Sequence, residues 1–162
     1  MQQEINELRT RVEGLERQLK KKEKYKDTKS RFIPEDSDDY YYISAYGIIL
    51  ADACRDTDVD DYRISIGNCF KTEEEAEKQK RVLINTQKLK DLADALNGSV
   101  KINWKDRHQE KYSIILNAEQ LSTGINYFCR LQGAVYCLDK NFLAKAIEEI
   151  GEKELIELIK GE

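Results

Sequence analysis

The first 26 residues, MQQEINELRTRVEGLERQLKKKEKYK (1–26), decide how the chain is organised, because their apolar side chains recur at alternating steps of three and four. That spacing follows the a and d positions of a heptad repeat. The seam consists of Ile5, Leu8, Val12, Leu15 and Leu19. β-branched residues at a, with leucine at d, favour two parallel strands. The sequence therefore predicts a parallel coiled coil over residues 1–26 and a homodimer held by these five side chains.

Charged residues beside the seam favour the same arrangement. In a parallel pair, each g position faces the following e position of the partner helix. Glu4 would then meet Arg9, and Arg11 would meet Glu16, so that both contacts are attractive. The alternative is a single amphipathic helix docked on its own domain, although such a helix usually has a wider apolar face.

A basic run, Lys20 to Lys26, ends the helix and leads into a polar linker over residues 27–39. Cationic side chains can contact phosphate, so nucleic acid is a candidate partner of this segment. The alternative is a solvated helix end, where cations also suit the helix dipole.

After the linker the pattern becomes that of strands. Three strands are predicted in turn, over residues 40–46, 48–53 and 62–70, from their β-forming residues and the turn residues between them. Thr72 then begins a capping box with Glu75, which predicts a long helix ending at Asn97.

The second half follows the same order. Strands are predicted over residues 112–116, 125–131 and 134–138, a helix from Asp139 to Ile150, and a last short helix after Gly151. In both halves an aromatic residue follows a glycine by three positions, then a helix cap and a small residue, Ala76 or Ala144. We therefore expect an α+β fold, with the coiled-coil helix followed by one compact domain of antiparallel strands and helices over residues 40–162. A duplicated β-β-β-α unit would account for the shared order.

Acidic residues are concentrated in one short segment. Residues 35–61 contain nine acidic residues and one basic residue, Arg55, for a net charge of −8, whereas the whole chain carries −4. Carboxylates along a rigid edge can imitate a nucleic-acid backbone, and tyrosine is enriched at the centres of interfaces. The predicted partner-binding residues are Asp52, Asp56, Asp58, Asp60, Asp61, Tyr40, Tyr42 and Tyr46. The alternative is a solvated loop that keeps a sheet edge from aggregating.

Motifs for catalysis are missing from the sequence. It contains no GxSxG, no glycine-rich phosphate loop and no HExxH, and His108 is its only histidine. The four cysteines include no CxxC pair, which argues against zinc. The run from Asp56 begins like an EF-hand loop, but Asp61 and Gly67 occupy the positions that require glycine and glutamate. We expect no enzymatic activity, no cofactor and no bound metal.

The chain also lacks the marks of a membrane protein. No apolar run approaches the ~20 residues that a membrane span requires. The amino terminus has neither the basic start nor the apolar stretch of a signal peptide. We expect an intracellular protein with no membrane partner.

Four segments resemble small proteins of phages and prophages from Gram-positive bacteria, whose members generally lack assigned functions. They are YYYI (40–43), GNCFKTEEEAE (67–77), GAVYC (133–137) and IEEIGEKEL (147–155). The resemblance covers most of residues 40–160 and implies an accessory protein in the cytoplasm of the bacterial host. Inhibitors of host defence nucleases are frequent among such accessory proteins. The resemblance implies no site residues.

Together these features predict a phage-encoded accessory protein that binds and inhibits a host nucleic-acid-handling defence protein, for example a CRISPR effector nuclease. The acidic, tyrosine-rich surface would make the contact. The alternatives are a nucleic-acid-binding dimer and a structural or assembly protein of the virion. A small-molecule pocket enclosed by the sheets of two subunits also stays open.

Overall fold

The structure is a computed structural model that describes residues 2–24 and 31–160. These residues form five helices and two small antiparallel sheets, so the mixed helix-and-strand fold is confirmed. In chain order the elements are α1 (Gln2–Lys24), β1 (Asp39–Ile43), β2 (Ile49–Ala53), α2 (Asp58–Ser65), α3 (Glu73–Asn97), β3 (Lys111–Asn117), β4 (Gln120–Asn126), α4 (Phe142–Ile150) and α5 (Glu152–Lys160).

The chain divides into two compact units, Met1–Glu77 and Lys78–Glu162, and the division falls within α3. The described residues of each unit form one hairpin and one cluster of buried apolar side chains. The single globular domain over residues 40–162 remains a prediction.

The helix predicted at the amino terminus is present as α1. Its five seam side chains are between 45% and 63% exposed, from Ile5 at the low end to Leu19 at the high end. Residues 1, 25 and 26 of the predicted coiled coil, and residues 27–30 of the predicted linker, lie outside the described residues. The pairing of two such helices remains a prediction.

The hairpin of the first unit confirms the first two predicted strands. Its register runs from the Asp39–Ala53 pair to the Ile43–Ile49 pair, and Gly47 in the turn has a φ of 72°. Glycine suits that turn because it adopts a left-handed conformation without steric cost. The hairpin supplies part of a core that contains Tyr40, Cys54, Ile64 and Cys69, with Phe32, Ile33 and Tyr42 packed against it.

The third predicted strand, over residues 62–70, is wrong, because its first four residues, 62–65, belong to the helix α2. Thr57 and Asp60 form a reciprocal capping box at its start: the Asp60 amide donates to the Thr57 hydroxyl, and the Thr57 amide donates to the Asp60 carboxylate. This local nucleation of a helix outweighs the β-forming residues that follow. Only Phe70 reaches the sheet, through a single bridge to Tyr41.

The long helix predicted in the middle of the chain is present as α3. The Glu75 amide donates to the Thr72 hydroxyl at 3.2 Å, as the predicted capping box requires. The Glu75 carboxylate accepts from the Lys71 amide at 2.9 Å, one residue before the expected donor. The bond from the Glu75 amide satisfies one of the donors that a helix start leaves without a partner.

The second hairpin confirms the strand predicted over residues 112–116 but not its partner. β4 occupies most of residues 117–124, which were expected to be a loop, so the strand predicted over residues 125–131 is wrong. Ala118 and Glu119 form the two-residue turn with φ values of 44° and 68°. Such turns usually contain glycine or asparagine, so composition did not indicate this one.

The last predicted strand, over residues 134–138, is reduced to one bridge between Cys137 and Tyr112. The core of the second unit contains Leu89, Ala93, Cys137, Phe142, Ala146 and Leu155. α4 ends at Ile150, before Gly151, as expected. Ala146 is buried and Ala144 is exposed, so Ala144 is not the counterpart of the buried Ala76. The duplicated β-β-β-α unit remains a prediction.

Candidate partner-binding surface

Tyr40 lies at the centre of the first unit and is completely buried. Its hydroxyl donates to the Asp60 carboxylate at 2.7 Å and accepts from the Arg63 guanidinium at 2.6 Å. Burial and the bond to Asp60 raise the pKa of Tyr40 well above its ordinary value. The side chain therefore stays neutral and joins β1 to α2.

Asp60 is also buried, with 3% of its surface exposed, although it belongs to the acidic segment. Burial alone would raise its pKa, but hydrogen bonds from Thr57, Tyr40 and Arg55 outweigh that effect and lower it to about 2. The Thr57 hydroxyl lies 2.7 Å from the carboxylate and the Arg55 amide 3.1 Å. Asp60 is thus a charged anchor of the α2 cap.

Arg63 joins Tyr40 and Tyr42 to Asp52 of the acidic segment. Its guanidinium donates to Asp52 at 2.7 Å and lies over the Tyr42 ring, 3.5 Å from the ring centroid. The hydrogen bond from Arg63 lowers the pKa of Asp52. Burial opposes the charge of Arg63, but its bonds to Asp52 and Tyr40 raise its pKa. These contacts hold α2 against the hairpin.

The eight predicted contact residues therefore have different environments. Tyr40 and Asp60 are buried and anchor α2 to the hairpin, and their role as partner contacts stays a prediction. Asp52, Asp56 and Tyr42 are half-buried, whereas Asp58, Asp61 and Tyr46 are exposed. Tyr46 lies at the hairpin turn with 91% of its surface exposed.

Part of the acidic linker is ordered and attached to β2. The Ser37 amide donates to the Cys54 carbonyl, and the Cys54 amide donates to the Asp38 carbonyl, both at 2.8 Å. The Asp38 carboxylate accepts from the Glu35 amide at 2.8 Å. Residues 35–38 therefore form a turn that is bonded to the chain just after β2.

The sequence did not indicate the solvent-facing side of α2. Val59, Tyr62 and Ile66 are exposed at helical spacing, beside the exposed carboxylates of Asp58 and Asp61. We call these five residues the acidic helix face. The spacing from 59 to 66 is a helical signal, but it becomes visible only when residues 58–65 are taken as a helix.

No family model, curated protein or solved structure matches the chain.

Among residues 2–24 and 31–160, no group of three or more His, Cys, Asp or Glu side chains is placed to hold a metal ion, and no helix is long and apolar enough to cross a membrane. Cys54, Cys69 and Cys137 are buried cysteines and Cys129 is an exposed one, all in the reduced form. Burial raises the pKa of Cys69 to about 11, which keeps this thiol protonated at neutral pH.

The basic run is only partly described. Lys20 is exposed near the end of α1, whereas Tyr25 and Lys26 lie outside the described residues. Contact of this run with nucleic acid stays a prediction.

Proposed function

We propose that the protein is a dimeric binding protein that inhibits a host nucleic-acid-handling defence protein, such as a CRISPR effector nuclease, through the acidic helix face. The main supporting observation is that Asp58 and Asp61 stay exposed on α2 while Asp60, between them, anchors the helix. Charges on an anchored helix require little ordering when they bind. Charge complementarity then speeds association and selects the partner.

Apolar side chains on α2 and at its C-cap support a protein partner over free nucleic acid. Val59, Tyr62 and Ile66 are each more than half exposed. Protein interfaces combine apolar and aromatic anchors at the centre with a polar rim. Asp58 and Asp61 would supply an acidic rim, which fits a partner whose groove has an apolar floor and basic edges.

The exposed seam of α1 supports the homodimer. Isolated helices are marginally stable in water unless an apolar face is buried. Pairing two copies would cover Ile5, Leu8, Val12, Leu15 and Leu19, and the flanking g and e charges are complementary in a parallel pair. A dimer would present two acidic helix faces and could engage a partner with two sites through avidity.

The resemblance to phage and prophage proteins supports the biological setting of this proposal. Such a protein would act in the cytoplasm of the bacterial host, where it would meet defence nucleases. Those enzymes bind nucleic acid through basic grooves, which are complementary to Asp58 and Asp61.

The test is affinity capture from a lysate of a Gram-positive host, using the full chain and the Asp58→Lys/Asp61→Lys variant. The matched control is Glu148→Lys/Glu149→Lys, which makes the same charge change at exposed positions of α4. We expect a nucleic-acid-handling protein to be retained by the native chain and the control but lost by the Asp variant. The purified partner should lose nucleic-acid binding or cleavage when the native chain is added.

One result would contradict this proposal, and two others would favour an alternative function. Equal capture of the host protein by the Asp58→Lys/Asp61→Lys variant and by the control would contradict the role of the acidic helix face. Direct binding to DNA or RNA with a steep salt dependence would favour the nucleic-acid-binding dimer. Recovery of the protein in purified phage particles would favour a virion protein.

A further inference from the structure

The edge of β3 that faces away from β4 is open over part of its length. The Tyr112 amide donates to the Cys137 carbonyl at 2.7 Å, and the Cys137 amide donates to the Tyr112 carbonyl at 2.9 Å. Backbone groups of alternate residues point to the same side of a strand. The amides and carbonyls of Ile114 and Leu116 therefore point to this edge too. Within the described part of the chain, no hydrogen bond satisfies them there.

The corresponding edge of the first hairpin is closed by a side chain. Tyr41 and Phe70 exchange two backbone hydrogen bonds of 2.9 Å, as Tyr112 and Cys137 do. Two residues beyond Tyr41, the Ile43 amide donates to Asn68 Oδ1 at 2.9 Å and the Ile43 carbonyl accepts from Asn68 Nδ2 at 2.8 Å. The Asn68 amide thus takes the place of a neighbouring strand.

In the second unit an aliphatic residue occupies the matching place. Asn68 precedes Phe70 by two residues, and Val135 precedes Cys137 by two residues. Valine has no group that could bond to the Ile114 backbone. The difference between Asn68 and Val135 accounts for a closed edge in one unit and an open edge in the other.

The open edge borders an aliphatic cleft of about 620 Å³ within the second unit. This volume lies in the range of ligand-binding clefts. Its wall includes Val82 and Leu89 of α3 and Leu158 and Ile159 of α5, together with Ile114, Leu116 and the segment 131–135. None of the described residues that line it is charged.

We propose that this cleft binds an extended peptide segment of another protein, which adds as a strand to the open edge of β3. Backbone groups of the peptide would satisfy Ile114 and Leu116, while alternate apolar side chains would lie against the aliphatic wall. An acyl chain would fill the cleft but would leave these backbone groups desolvated and without hydrogen-bond partners. Unsatisfied polar groups of this kind reduce the free energy of binding. The bound stretch would span about four residues, at about 3.3 Å each. The site is independent of the acidic helix face.

The test uses a fluorescent heptapeptide, Lys-Thr-Val-Thr-Val-Thr-Lys, and the full chain. Two derivatives are compared with it, one N-methylated at both valines and the other N-methylated at threonines. In an added strand only alternate amides face β3. We therefore expect one derivative to bind at least about tenfold more weakly and the other to bind much as the parent does. The amides of Ile114 and Leu116 should also gain protection from hydrogen exchange.

Three variants locate the site on the protein. Val82→Glu adds a charge to the cleft and should weaken peptide binding at least about tenfold, whereas Leu83→Glu, at an exposed neighbouring position, should not. Val135→Asn should close the edge as Asn68 does and reduce binding similarly. Far-UV circular dichroism and thermal unfolding check that each variant is folded.

Several results would overturn the proposal. The first is equal binding by both N-methylated peptides. The second is no saturable binding up to about 1 mM peptide. The third is unchanged peptide binding by Val82→Glu when that variant is folded. Binding of decanoate in place of the peptide would assign the cleft to an acyl chain. Self-association that Val82→Glu abolishes would assign it to a second copy.

Discussion

Tyr40 of β1 donates a 2.7 Å hydrogen bond to Asp60 of α2, and this buried pair connects the hairpin to the cap of the helix. The same hydroxyl accepts from Arg63, which also binds Asp52. Two residues that the sequence suggested as partner contacts therefore hold the acidic helix face in position.

Removal of the Tyr40 hydroxyl should destabilise the first unit. Tyr40→Phe leaves Asp60 and Arg63 each without one buried partner, which we expect to cost about 1–3 kcal/mol in the free energy of unfolding. Urea denaturation followed by circular dichroism measures the change. Tyr46→Phe is the matched control, because the Tyr46 side chain is exposed and should change stability little. A stability equal to that of the native chain would contradict the role of Tyr40.

The pKa of Asp60 predicts how stability depends on pH. Folding lowers this pKa from its ordinary value of 3.8 to about 2, so the ionised carboxylate stabilises the native state above about pH 4. That contribution, about 2 kcal/mol, is lost as the pH falls from about 4 to about 2. Urea midpoints measured across this range should fall less steeply for Asp60→Asn than for the native chain. Asp58→Asn removes the same charge from an exposed site and should keep the native slope.

Lys111 should stabilise the second unit through backbone contacts. Its buried ammonium donates to the carbonyls of Asp106, Gln109 and Tyr127 at 2.9, 2.6 and 2.9 Å. Lys111→Met keeps the aliphatic stem but leaves these carbonyls without the cation, so we expect a loss of about 3 kcal/mol.

Two measurements follow the Lys111 variant. Urea unfolding gives the change in stability, and the fluorescence of Trp104, the only tryptophan, should change because its ring lies 5.6 Å from the ammonium. Lys101→Met, at an exposed position, is the control. An unchanged unfolding midpoint for Lys111→Met would refute the stabilising role.

A charge swap tests the coiled coil and its direction. Glu4→Arg should weaken the dimer because it faces Arg9 of a parallel partner, and the double variant Glu4→Arg/Arg9→Glu should restore it. In an antiparallel pair these two positions would not face each other, so no restoration would occur. Sedimentation equilibrium measures the dissociation constant, and we expect each mismatch to weaken it several-fold. A monomeric native chain at all concentrations would rule out the dimer.

Much of the fold followed from local patterns. The 3-4 spacing of Ile5 to Leu19 predicted the helix α1, and the capping residues Thr72 and Glu75 predicted the start of α3. β-forming residues predicted β1 and β3. These signals involve residues within a few positions of one another, so they are visible in sequence.

The sequence by itself thus determined the helices α1 and α3, the strands β1 and β3, and the charge of residues 35–61. Only the tertiary structure decided that Asp60 and Tyr40 are buried, that residues 134–138 meet β3 at one bridge, and that the β3 edge stays open. The physical reason is that these outcomes depend on groups far apart in the chain. A hydrogen bond between residues 40 and 60, or a missing one between 114 and 135, has no local signature in either segment.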